Sequence, residues 1–142
     1  MIDLIQSLIS ICTNDTDISA LAGTRVWGQE LGKSESDNMP RYNVVLKMAG
    51  LGGGIGDRDY RPVMEVRVDI FNYGATIIKA TNLHRQTHDT FKAINRKFQG
   101  DTLIHWAHRT AGPIYLRDPD GSPGWPLVVE SWNVLATETT VA

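Results

Sequence analysis

The sequence predicts an α+β fold: a single, mainly antiparallel or mixed sheet of four or more strands with helices packed on one face. Three observations predict it. Met64, Val66, Val68 and Ile70 alternate with Glu65, Arg67 and Asp69, the period-two pattern of a half-buried strand. A second alternation ends the chain, with Leu127, Val129, Ser131, Asn133 and Leu135 facing one way and Val128, Glu130, Trp132, Val134 and Ala136 the other. Between them Ile77, Ala80, His84, Thr87, Phe91 and Ile94 step by three and four residues, with Leu83 and Phe98 widening the stripe of a long helix. Segregated helices and alternating strands indicate helices laid against one sheet rather than interleaved with parallel strands.

The elements follow in order. "LIQSLISIC" repeats apolar residues at helical spacing through Ile5, Leu8, Ile9 and Cys12. In "NDTDISALAG", Asp17 is the expected N-cap of a short helix and Gly23 its left-handed end. "TRVWG" is an extended approach to the sheet, and "QELGKSESDNMP" an exposed polar loop. "RYNVVLKMA" is a strand by its Tyr, Val and Leu content. The strand from Tyr60 to Tyr73 exceeds the usual length of about 17–20 Å, so one end is expected to project, with Pro62 restricting pairing there to an edge. The long helix is expected to run to Phe98, with Gly100 following it and Lys92, Arg96 and Lys97 complementing its dipole. "DTLIHWAHRT" and "GPIYLRD" are strand pieces, and "PDGSPGWP" is a turn.

The chain has 142 residues, which predicts one domain over 1–142. Its net charge of -2 provides no global basic field to attract nucleic acid or an anionic membrane. No apolar run approaches the roughly 18 residues of a membrane span. Cys12, the only cysteine, cannot form an intrachain disulfide and is read as a small buried hydrophobe. The first residues lack the basic start of a signal peptide, so the expected site of folding is a cytoplasm.

Candidate chemistry is sparse. "MAGLGGGIGDRDYR" has a glycine density suggestive of phosphate binding. It lacks the Lys and Ser/Thr of a phosphate loop, fails the dinucleotide spacing, leads into a strand, and carries Asp57 and Asp59, which repel anions. It is read as a connector between antiparallel strands whose tip meets a neighbouring subunit. His84 and His88 share a helix face, but Arg85 stands where a zinc-protease motif needs Glu. His105 and His108 are expected on opposite faces of a strand. Asp118 and Asp120 suit turn chemistry, and no Gly-x-Ser-x-Gly elbow occurs. Trp125 lies between Gly124 and Pro126, either as a lid over the core or as an interface anchor. The expectation is a non-enzyme with no catalytic, cofactor or metal residues, whose interface residues are Gly52, Gly53, Gly54, Asp57, Arg58, Asp59 and Trp125. The competing possibility is an enzyme or small-ligand binder using the glycine loop, Asp57, Asp59 and His84, which requires a pocket where they converge.

The succession of "LIQSLISIC", "LAGTRVWGQEL", "MPRYNVVLKMAG", the long alternating strand, the single long helix and "GPIYLRDPDGSPGWPLVVESWNVLA" resembles the tail terminator and tail completion proteins of long-tailed bacteriophages. The resemblance covers nearly the whole chain and rests on order and texture. It implies a virion protein, assembled in the host cytoplasm, that forms a hexameric ring at the head-proximal end of the tail tube. Such a ring ends tube polymerisation and joins the neck. The implied partners are other copies of the chain, the tail tube protein and neck or head–tail connector proteins, with DNA as cargo that must not stick. A head–tail adaptor or stopper of the neck is the neighbouring alternative. The mild acidity of the chain suits a channel past which DNA slides.

Overall fold

A computed structural model describes residues 4–51, 63–100, 102–119 and 124–138. The elements are α1 (Leu4–Asn14), α2 (Thr16–Ala22), β1 (Val26–Gly28), α3 (Lys33–Ser36), β2 (Asn43–Leu51), β3 (Val63–Tyr73), α4 (Ile77–Lys92), β4 (Asn95–Gln99), β5 (Thr102–Asp118) and β6 (Trp125–Glu138). The strands form one six-stranded sheet in the order β1-β2-β3-β6-β5-β4. The β1–β2 pair is parallel and every other pair is antiparallel. The α+β expectation holds, and α1, α2 and α4 pack on the main core face.

The alternations decide which side faces the helices. Val66, Val68 and Ile70 of β3 are fully buried, as are Val134 and Ala136 of β6, and Val66 pairs with Val134 and Val68 with Trp132. They meet Leu4, Leu8, Cys12, Ile18, Leu83 and Phe91 from the helices in one cluster. A smaller cluster forms on the reverse face from Val45, Tyr73 and Leu127, covered by Trp27, Leu31, Met39, Phe71 and Trp125.

Three local expectations change. Asp15, not Asp17, caps α2: its Oδ1 accepts from the Asp17 and Ile18 amides, and its Oδ2 accepts from Thr90 of α4. Gly23, at φ 59, ends that helix as expected. The polar stretch 29–40 is not a plain exposed loop. It contains α3, whose Glu35 is buried and accepts from Arg41 and from Asn43 Nδ2. The long helix ends at Lys92 instead of Phe98. Ile94 stays in the core, but Asn95–Gln99 turns into a strand paired with β5, leaving Phe98 68% exposed. Gly100, φ 60, therefore stands in the hairpin connection between β4 and β5. Pairing with β5 outweighs a helical pattern whose last stripe residue has nothing to bury against. Of the strand expected from Tyr60, Val63–Tyr73 is paired with β6 throughout, and its start at Tyr60–Pro62 lies outside the described residues.

Candidate functional site

Two features concentrate what this fold leaves available. The first is the outer half of β5. The two sequence pieces, with Ala111 between them, merge over Thr102–Asp118 into one 17-residue strand. Its inner edge follows β6 from Thr102 to Asp118, with bulges near Trp106, Ala111 and Ile114 that bend it. Its outer edge is covered by β4 only through Trp106. Beyond that, no strand lies beside it among the described residues. Gly112 sits at φ 96, where a Cβ would stand 2.8 Å from the Val129 carbonyl oxygen, so the bend demands glycine. Pro113 lacks an N–H, which suits an edge.

On this open stretch Ile114, Tyr115 and Leu116 are each about half exposed. Tyr115 shares a face with its partner Val128, and Ile114 and Leu116 share the reverse face with Val129 and Leu127. An open edge with apolar side chains on both faces is a template for another chain. The far end of the hairpin is braced. The Tyr73 hydroxyl donates to Asp118 at 2.8 Å, and Trp125 meets the Tyr73 ring edge-on at 6.3 Å. Trp125 is thus partly packed in the smaller core cluster, and it also lines an open cleft of about 760 Å³ with Leu31, Lys47 and Tyr73. Asp118 is the last residue of β5, and Asp120 lies outside the described residues.

The second feature is a polar cluster between α4 and β6. Glu130 occupies a helix-facing position of β6 opposite Ile70, and is 1% exposed. His84 Nε2 lies 2.9 Å from Glu130 Oε2 and His88 Nδ1 2.8 Å from Oε1, while the Trp132 indole donates to Oε1 at 2.8 Å. Spacing by four residues sets both imidazoles on the face of α4 that meets the sheet. Burial acts to raise the Glu130 pKa, but the hydrogen bonds from His84 and His88 outweigh it and hold the carboxyl below its ordinary range. Beside the cluster, His88 and Trp132 border a cavity of about 440 Å³ that also touches Lys92, Trp106, His108 and Arg109.

Gly52, Gly53, Gly54, Asp57, Arg58 and Asp59 lie outside the described residues. The topology around them is informative: β2 and β3 are antiparallel neighbours, so the glycine run lies in the connection between adjacent strands. His84 is committed to Glu130. His105 points to Thr137 Oγ1, whereas the His108 ring is tilted against Trp106 with centroids 4.4 Å apart. Cys12 is fully buried, and burial pushes its thiol up to about 12. Reading the residues singly missed the Glu130 cluster. Its signal was an acid at an inward position of an otherwise apolar alternation, facing a helix with histidines at i and i+4.

No family model matches the chain, and no curated protein matches it significantly in sequence. Its fold is similar to that of solved virus-like components. One is a chain of the virion of a native gene transfer agent particle, with a TM-score of 0.59 and 9% identity over 94% of both chains. Another is the bacteriophage SPP1 gp17 protein, with a TM-score of 0.51 and 14% identity over 94% of this chain and 87% of that one. At such identities the likeness is one of fold, and it spans this chain nearly end to end.

Proposed function

We propose that the protein is a structural component of a phage-like virion, located at the tail or neck, which forms a ring at the head-proximal end of the tail tube. In this role it ends tube polymerisation and presents the surface that joins the neck, with six copies as the expected ring. The observation that carries the reading is the whole-chain fold likeness to a chain of a gene transfer agent virion and to SPP1 gp17. The open β5 edge supports it. Every subunit of a closed ring uses a head-to-tail interface, and an unpaired strand edge bearing Ile114, Tyr115 and Leu116 supplies one half of such a contact. A net charge of -2 suits a wall that DNA passes without adhering. The role requires no catalytic residue.

Light scattering and electron microscopy at high protein concentration, with and without purified tail tubes, test the proposal. The expected result is rings, free or seated on tube ends, and tubes of defined length when the protein is present. Monomers alone under both conditions would overturn it. An image of the intact particle separates a ring on the tube end from an adaptor or stopper deeper in the neck.

A further inference from the structure

We propose that His84, His88 and Glu130 form a binding site for a divalent transition cation, with Zn²⁺ the best chemical match, pinning α4 to β6. Three potential ligand atoms, one from each residue, lie within 4.8 Å of one another. Two imidazole nitrogens and a carboxylate oxygen are a zinc ligand set, with bonds near 2.0–2.2 Å. Tetrahedral ligands at those lengths stand about 3.4 Å apart. His84 Nε2, now 2.9 Å from Oε2, therefore has to withdraw by roughly half an ångström, and His88 Nδ1, now 2.8 Å from Oε1, has to exchange that contact for the cation. The His88 side chain, 25% exposed, has room to move.

Charge makes the same case. Among the described residues the partners of the Glu130 carboxylate are His84, His88 and the Trp132 indole, with no Lys or Arg among them. With both imidazoles neutral, the cluster buries a full negative charge. A divalent cation offsets that charge and takes the place of the protons shared between rings and carboxylate. The indole hydrogen bond to Oε1 orients the carboxylate from the second layer and leaves Oε2 to ligate. The cavity of about 440 Å³ that borders His88 and Trp132 provides an entry path and space for a fourth ligand. Lys92 and Arg109 on its wall favour water or a small anion in that position.

The test is titration of metal-stripped protein with Zn²⁺ by calorimetry, and with Co²⁺ by visible absorption. Wild-type protein is expected to take up one ion per chain with the intense spectrum of low-coordinate Co²⁺. His88→Gln and Glu130→Gln are each expected to weaken binding at least tenfold. His105→Gln, on the opposite face of β5, is expected to stay within twofold of wild type. Circular dichroism shows that each variant is folded at the titration temperature. His88→Gln, altering the most exposed of the three, provides the decisive comparison if Glu130→Gln fails to fold. Absence of one-to-one uptake by the wild type, or equal affinity in His88→Gln, would overturn the proposal and leave the cluster as a hydrogen-bonded tie only.

Discussion

Replacing Glu35 by Gln probes how a polar stretch becomes part of the folded body. Glu35 is 5% exposed, and its two oxygens accept from the Arg41 guanidinium while Asn43 Nδ2 donates to Oε1 at 2.8 Å. Asn43 Oδ1 in turn accepts from the Trp27 indole at 2.8 Å, so the acid organises residues 27–43 over the edge of the sheet. The amide keeps an acceptor for Asn43 but loses the paired charge. Hydrogen bonds to charged groups contribute about 1.5–3 kcal/mol. The Arg41 side chain is 43% exposed, so solvent screening reduces this to about 1–2 kcal/mol. At a few degrees per kcal/mol for a chain of this size, Tm should fall by roughly 3–8 °C at pH 7. The hydrogen bond from Arg41 holds the Glu35 carboxyl below its ordinary pKa. A lowered pKa in the folded state means that this stability is fully present above the unfolded value of about 4.3 and is lost as pH falls through the folded one. Thermal melts of wild type and Glu35→Gln from pH 7 to pH 3 should therefore converge at the acid end. Coincident melts at pH 7, or a gap that persists undiminished at pH 3, would refute this account.

Three further outcomes are expected. Phe91→Ala should cost about 3–5 kcal/mol by denaturant titration, because Phe91 is fully buried and packs 5.7 Å from the Trp132 ring. Gly74→Ala should cost about 1–3 kcal/mol by the same measurement, since its Cβ would stand 2.4 Å from the Ala80 amide nitrogen and no flexible side chain can yield. The double substitution Ile114→Lys, Leu116→Lys changes two half-exposed side chains, so it should abolish ring formation in light scattering while shifting Tm only slightly. Rings of normal yield from that variant would exclude the β5 edge from the interface.

Legibility in the sequence followed how local each signal was. Period-two burial in β3 and β6 and the helical stripe from Ala80 to Phe91 depend on neighbours two to four residues away, and the structure buries those faces, although Ile77 at the start of the stripe is exposed. The apolar environment of Cys12 was readable for the same reason. The sequence by itself thus determined the α+β class, the core-facing sides and the absence of a phosphate-loop motif. Tertiary structure decided what depends on partners distant in the chain. Strand pairing with β5 turned Asn95–Gln99 away from α4, and the shortness of β4 left the outer edge of β5 open among the described residues. Folding also brought His84 and His88 to Glu130 across separations of 46 and 42 residues. An inward acid is costly until such partners arrive. Its partners could be identified only once the sheet order had placed β6 beneath α4.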